Sequence, residues 1–477
     1  MADGFPEHSE LLIVGGGPGG YAAAFRAADL GLDVTLVTDE EQLGGVCLLR
    51  GCIPGKTLLE LVDVQLLARE AQERGLRFAD PEVDLDRMRG WKHEVVDQLV
   101  GGLHGLADTR GIRLLQARAS FDGPDQVTMT VDGEPRRAGF DHAIIATGSA
   151  PTPLPDTAFG TRVLDSAGAL ELVDVPERLL VVGGGYVGLE LGTVYAALGS
   201  RVTLVEVTDT IMPIADQELV EPLAERVGAR FEAVHLQTVV TEMVEADQQV
   251  RVHLDGPDVP EDATFDRALV AIGRQPNTAE LGLDTTAVQR DEEGLIRVDA
   301  SGRTHEPNVF AVGDVTGGLQ LAHEAFHEGI IAAEAVAGRA AAFDARAVPS
   351  VVYTDPQLAW CGLSEPEAAE RDIEVEILRC PWQASGRAVT IGAGEGLTKL
   401  VCEPGTGRIL GVGIVGRRAE SLITEGVLAV EMGAVLEDLA RCVAPHPTLS
   451  ETLHEAAQLG IGGPLHLAPS NAARREG

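Results

Sequence analysis

The sequence predicts an α/β chain of three domains, two doubly wound and a third of α+β type, and three observations predict it. An apolar strand run leads into a glycine-rich loop and then a helix at two places, residues 11–30 and 179–198. A second apolar strand with acidic residues at its end follows each of these, at 34–37 and 202–206. From Val348 the pattern becomes short alternating strands (374–378, 398–402, 409–415) with helices between them, and no glycine loop recurs. A length of 477 residues agrees, being too great for one ordinary domain.

The loops fix what the first two domains can hold. Gly15, Gly17 and Gly20, and again Gly183, Gly185 and Gly188, have the GxGxxG spacing. The first glycine permits a tight turn, the second lets a pyrophosphate approach the backbone, and the third lets helix pack on strand. The N–H groups opening the next helix then point at phosphate. Both units therefore read as Rossmann-like, dinucleotide-binding domains. Glu206 ends its strand, and no arginine follows at 207–210. Such a carboxylate accepts from the ribose 2′-hydroxyl of NAD and repels the 2′-phosphate of NADP, so the second domain is assigned to NAD and the first to FAD. In the first, Thr38 occupies the usual acidic place, which leaves Asp39 or Glu40 for the FAD ribose.

Prolines at 151, 153 and 155 mark a domain crossing just after a strand that ends at Thr147 and Gly148. A strand ending at Gly273 closes the second domain. The expected division is 1–149 with 277–347 for FAD, 150–276 for NAD, 348–470 for association, and a tail at 471–477. The strand 308–314 ends in Asp314, placed to bind a flavin's ribityl chain. The helix opening at Ala322 and His323 turns its positive end toward the flavin.

Two clusters carry chemistry. Cys47 and Cys52 lie among glycines just after the first nucleotide-binding unit, where a disulfide could exchange two electrons with a flavin. Residues five apart on a regular helix are roughly 8–9 Å apart at Cα, beyond disulfide reach, so a bridge needs a distorted turn that Gly51 permits. Lys56 follows closely and is one of only three lysines (with Lys92 and Lys399) against thirty-four arginines. In the second cluster His446 stands between two prolines, with Glu451 a turn away to orient the imidazole as a general base. His454 has no comparable setting. The other cysteines (Cys361, Cys380, Cys402 and Cys442) are expected to be buried packing residues, and no metal ligand set is assigned.

The formal charge of −37 argues against nucleic acid or anionic lipid as partner and suits a high-salt cytoplasm. No run of eighteen apolar residues occurs, and the first residues lack the features of a signal peptide, so the chain reads as cytoplasmic.

Six stretches carry a resemblance over residues 11 to about 458: GGVCLLRGCIPGK at 44–56, GGGYVGLELG at 183–192, NVFAVGD at 308–314, LAHEAFHEG at 321–329, YTDPQLAWCGLSE at 353–365 and HPTLSE at 446–451. On these the chain resembles the pyridine nucleotide–disulfide oxidoreductases. Glu206 and the Leu-Ala-His stretch favour the branch that oxidises protein-bound dihydrolipoamide with NAD, and a mercury-reducing relative would add a C-terminal cysteine pair that is absent here. The resemblance implies a homodimer serving the lipoyl domain of a 2-oxoacid dehydrogenase complex. It implies that Cys47 exchanges with substrate, that Cys52 faces FAD, and that Lys56 pairs with Glu190 beside it. Tyr186 is then near the nicotinamide, and His446 and Glu451 serve the disulfide of the other subunit. Leu49, Arg50 and Gly55 depart from the family pattern, and Arg50 is open to two readings, stabilising a thiolate or being merely exposed. The alternatives are a reductase of another disulfide or of a metal ion, and a non-catalytic flavoprotein subunit.

Overall fold

The computed structural model describes residues 5–79, 81–246 and 248–468; the tail expected at 471–477 lies outside them, as do residues 469 and 470. The first sheet is ordered Arg113–Gln116, Val34–Thr38, His8–Val14, Glu134–Ile145, Gln126–Val131, Arg118–Gly123. Its first four strands run parallel, the last two form an antiparallel meander, and Val309–Ala311 returns from far along the chain to lie parallel to Glu134–Ile145. Leu11, Leu12 and Ile13 are all buried, as a strand covered on both faces requires. Helix Pro18–Asp29 begins on a proline, which suits the first turn, where its missing N–H has no partner to lose. Helix Ala322–Val336 packs against it so closely that a Cβ on Gly329 would collide with the Gly19 carbonyl.

The second sheet is fully parallel, ordered Ala233–His235, Arg201–Val205, Arg178–Val182, Arg267–Val270, Val163–Leu164. An antiparallel layer of Val239–Ala246, Gln249–Asp255 and Asp262–Phe265 accompanies it. The chain passes between the two sheets through one antiparallel pair, Ser149–Pro151 with Arg274–Pro276. Two long helices, Cys52–Glu73 and Leu85–Thr109, add to the elements expected from the sequence. The second is capped by Asp84, whose side chain accepts from the Arg87 N–H at 2.9 Å.

The C-terminal sheet is antiparallel: Ser350–Val352, Gln357–Gly362, Ile409–Gly416, Leu397–Cys402, Glu376–Pro381. Trp382 is fully buried beside it, its indole N–H donating to Thr398 at 2.9 Å. Cys361, Cys380 and Cys402 are buried there, and burial pushes each thiol up to about 12. Cys442 corrects the expectation: it follows helix Leu436–Arg441, next to the exposed Val443, and is itself exposed. His454 is held between helices Ala419–Glu431 and Glu451–Gly460 by a 2.8 Å bond to Glu425.

All three lysines reach into the unit built on the second sheet. Lys56 meets Glu190; Lys92, 2% exposed, donates to the Leu170 carbonyl at 2.7 Å; and Lys399, 1% exposed, meets Asp216, Glu218 and Glu365. Among the described residues no helix is long and apolar enough to cross a membrane.

Candidate active site

Cys47 and Cys52 form a disulfide with a Cα separation of 4.7 Å. This separation, shorter than a continuous helix gives, arises because the helical path breaks at Gly51: Gly45–Arg50 ends there and Cys52–Glu73 begins. A Cβ at Gly51 would lie 2.8 Å from the Val46 carbonyl oxygen, so the break leaves no room for a side chain.

The disulfide forms part of the wall of a cavity of about 710 Å³. Gly15, Gly17, Asp39, Thr147, Gly148, Asp314 and Ala322 line it from the first unit, and Tyr186 and Glu190 from the second. Lys56 enters from helix Cys52–Glu73, its ammonium 2.7 Å from Glu190 and 4.6 Å from the centre of the Tyr353 ring. Glu190 also accepts from the Tyr353 N–H at 2.9 Å, a contact that sequence reasoning missed. Glu40 is engaged by Arg50, with Nη1 donating to Oε2 at 2.8 Å. The Arg50 charge is thereby matched by a carboxylate instead of being free for a thiolate, and Asp39 is the acid not so engaged by it.

The cavity suits a dinucleotide. A Cβ on Gly17 would meet nothing nearer than the Gly45 Cα at 3.8 Å, so the backbone at the helix N-terminus is open to a pyrophosphate. Gly20 faces inward instead, where a Cβ would collide with the Gly15 carbonyl; Gly188 stands in the same relation to Gly183. These glycines set helix-to-strand spacing and do not line the cavity.

Gly183, Gly185 and Glu206 form a second, separate cluster. Gly185 caps helix Tyr186–Leu198, and a Cβ there would meet nothing within 4 Å, which leaves that terminus open as well. Buried Glu206 accepts from the Gly184 N–H at 2.6 Å and from the Thr208 N–H and hydroxyl at 2.9 and 2.8 Å. Gly273 lies at the crossing between the sheets, its carbonyl accepting from Thr152 at 3.0 Å, and is absent from the cavity wall. His323 is also absent from it: its ring nitrogen bonds the Pro349 carbonyl at 2.7 Å, because the first helical turn directs that side chain toward the third domain.

His446 and Glu451 are joined at 2.9 Å between Nδ1 and Oε1, while Glu451 Oε2 accepts from the Thr448 N–H at 2.7 Å. Burial alone would raise the Glu451 carboxyl, but the Thr448 N–H and His446 outweigh it and hold the group below its ordinary value. The His446 imidazole is 71% exposed and lies outside the cavity that holds the cysteines.

Residues 9–329 match the family model of the pyridine nucleotide-disulphide oxidoreductases, and residues 348–457 match the dimerisation domain of the same family. The chain belongs to this family. It is accordingly an oxidoreductase with FAD and NAD as cofactors, and its C-terminal part is a dimerisation domain. It is 41% identical to dihydrolipoyl dehydrogenase of Vibrio parahaemolyticus, over 98% of this chain and 99% of that one. It is 44% identical to dihydrolipoyl dehydrogenase 2 of Haloarcula marismortui, over 96% and 98%. Its fold matches LpdA from Mycobacterium tuberculosis with a TM-score of 0.88 at 27% identity, covering 94% of this chain and 99% of that one.

Proposed function

We infer that the chain oxidises protein-bound dihydrolipoamide to lipoamide with NAD as acceptor, as a cytoplasmic homodimer serving the lipoyl domain of a 2-oxoacid dehydrogenase complex. The observation that carries this reading is the Cys47–Cys52 disulfide set in the cavity wall beside the Lys56–Glu190 pair. Glu451 accepts at Nδ1 of His446, which leaves Nε2 to take a proton from the first substrate thiol. The substrate thiolate attacks Cys47 of the other subunit, the S–S bond breaks, and Cys52 leaves as thiolate. The second substrate thiol then displaces Cys47, closing the lipoamide ring and leaving a dithiol. FAD, when bound, supplies the two-electron route from that dithiol to NAD. Cys52 would face the flavin, Asp39 and Asp314 would hold its ribose and ribityl hydroxyls, and Glu206 would hold the NAD ribose.

Rapid-mixing reduction of the holoenzyme with dihydrolipoamide, glutathione and NADPH in parallel tests the reading. Dihydrolipoamide should reduce it fastest, and a faster reaction with either of the others rejects the assignment. Cys47→Ser should show a long-wavelength thiolate-to-flavin absorbance without reductant, and Cys52→Ser should show none. His446→Gln should slow the dihydrolipoamide half-reaction roughly a hundredfold or more, the scale of a lost general base.

A further inference from the structure

Beside Asp314, and like it in the cavity wall, stand Ser149 and Arg274, which take no part in the chemistry proposed above. Asp314 sits on the short turn Gly313–Thr316 with its carboxylate in the cavity wall. The Ser149 hydroxyl donates to Asp314 Oδ2, and Arg274 Nε donates to that same hydroxyl oxygen at 2.6 Å. Arg274 Nη2 donates to the Ser149 carbonyl at 2.7 Å, and Nε lies 3.8 Å from Asp314 Oδ2. Ser149 is 3% exposed, so this is a closed set of contacts. Guanidinium can only donate, which leaves the serine proton one direction, toward Asp314.

The surrounding charge makes the arginine matter. Glu324 and Glu328 lie close enough that Asp314 helps raise both carboxyls, after burial as the larger cause, Glu328 to about 7. Among the described residues, the ion pair of Asp314 is with Arg274. Ser149 and Arg274 also open the two strands that join the sheets, Ser149–Pro151 and Arg274–Pro276. The Tyr186 hydroxyl, raised chiefly by burial, feels Arg274, Glu190 and Asp314 together.

We propose that Arg274, acting through the Ser149 hydroxyl, is a positioning residue that holds the Asp314 carboxylate toward the flavin and sets the charge at that end of the cavity; this rests on reading the cavity as the FAD site. Losing the guanidinium frees the serine hydroxyl to turn and leaves the Asp314 carboxylate without its ion-pair partner. FAD then binds less tightly, and its electron-rich reduced form loses most, so the potential of the bound flavin falls.

The test uses the full-length holoenzyme and its Arg274→Met, Arg274→Lys, Ser149→Ala and Asp314→Asn variants, with FAD release on dilution read by flavin fluorescence and potential read against a reference dye. Arg274→Met and Ser149→Ala should each weaken FAD binding about tenfold. Arg274→Met should also disfavour the reduced form about tenfold, equivalent to about 30 mV for a two-electron couple. Arg274→Lys should recover the potential but not the affinity, because an ammonium keeps the charge and loses the two-pronged contact. In the Asp314→Asn background, Arg274→Met should add less than twofold. A full additional effect in that background shows that Arg274 acts independently of Asp314 and overturns the proposal, as do unchanged affinity and potential in the single variants. Circular dichroism identifies a variant that has failed to fold, and Ser149→Ala, the smallest change, then carries the test. A wild-type chain without FAD rejects the cavity assignment and the proposal with it, whereas wild-type FAD binding with silent variants rejects the proposal alone.

Discussion

The Lys56–Glu190 pair makes an asymmetric prediction. Their attraction at 2.7 Å is about 6 kcal/mol at an effective dielectric of about 20, before desolvation is set against it. The two partners differ in access to water: the Glu190 side chain is 8% exposed and that of Lys56 is 30%. Lys56→Met leaves a buried carboxylate whose remaining partner is the Tyr353 N–H, and it forfeits the contact with the Tyr353 ring. Removing one member of a buried pair costs about 3–5 kcal/mol, and the partial exposure of Lys56 places this loss near the lower end, about 3 kcal/mol. Glu190→Gln leaves an ammonium that can turn to water and keeps an acceptor for Tyr353, so its loss should be about 1–2 kcal/mol. The loss is read as the shift in urea midpoint multiplied by the slope, for the transition that releases flavin at pH 7. A Glu190→Gln variant no more stable than Lys56→Met, or a Lys56→Met loss below about 1 kcal/mol, refutes the reasoning.

Three other outcomes are expected. Glu206→Arg should move the NAD-to-NADP ratio of kcat/KM toward NADP by about a hundredfold or more, since repulsion of the 2′-phosphate becomes attraction; equal use of both nucleotides by the wild type contradicts the role given to Glu206. The hydrogen bond that His454 donates to Glu425, opposed by burial, raises the imidazole above its ordinary 6.5, so its contribution to stability is complete below that pH and is lost as pH rises through the higher folded value. His454→Asn should flatten that part of the thermal-stability profile, and an unchanged slope would show that another group causes it. The charge of −37 predicts a higher melting temperature and a firmer dimer in molar salt than in dilute buffer, with identical values in both counting against it.

Much of the site is legible in the sequence because its parts are short and local. Strand, glycine loop and helix occupy adjacent residues, Cys47 and Cys52 are five apart, and His446 reaches Glu451 across one turn. Contacts between distant segments are harder to read. Ser149 and Arg274 are 125 residues apart, and Tyr353 reaches Glu190 across 163. The Gly-Arg-Gln-Pro-Asn run after the strand at 267–270 and the Ser after Ala-Thr-Gly are visible signals, but neither points to its partner. The helices Cys52–Glu73 and Leu85–Thr109 are hard to see because they lack a clean apolar stripe: Val64, Leu67, Trp91 and Leu99 are exposed. Placing His323 at the flavin treats proximity in sequence as proximity in space, although successive helical residues point about 100° apart.

The placement of the three lysines bears on how the protein can be labelled. Two ammonium groups are shut inside contacts with the unit built on the second sheet, and the third, Lys56, is 30% exposed in the wall of the cavity that holds the disulfide. The arginines that supply the remaining basic side chains stay protonated at any working pH and do not react as amines. Apart from the α-amino group, an acylating reagent, an aldehyde or an amine-coupling surface therefore finds one side-chain target, inside the cavity that FAD would fill. Amine modification of the folded protein should accordingly report on cavity occupancy, with FAD protecting Lys56, while amine cross-linkers should capture few partners even where the dimer is intact.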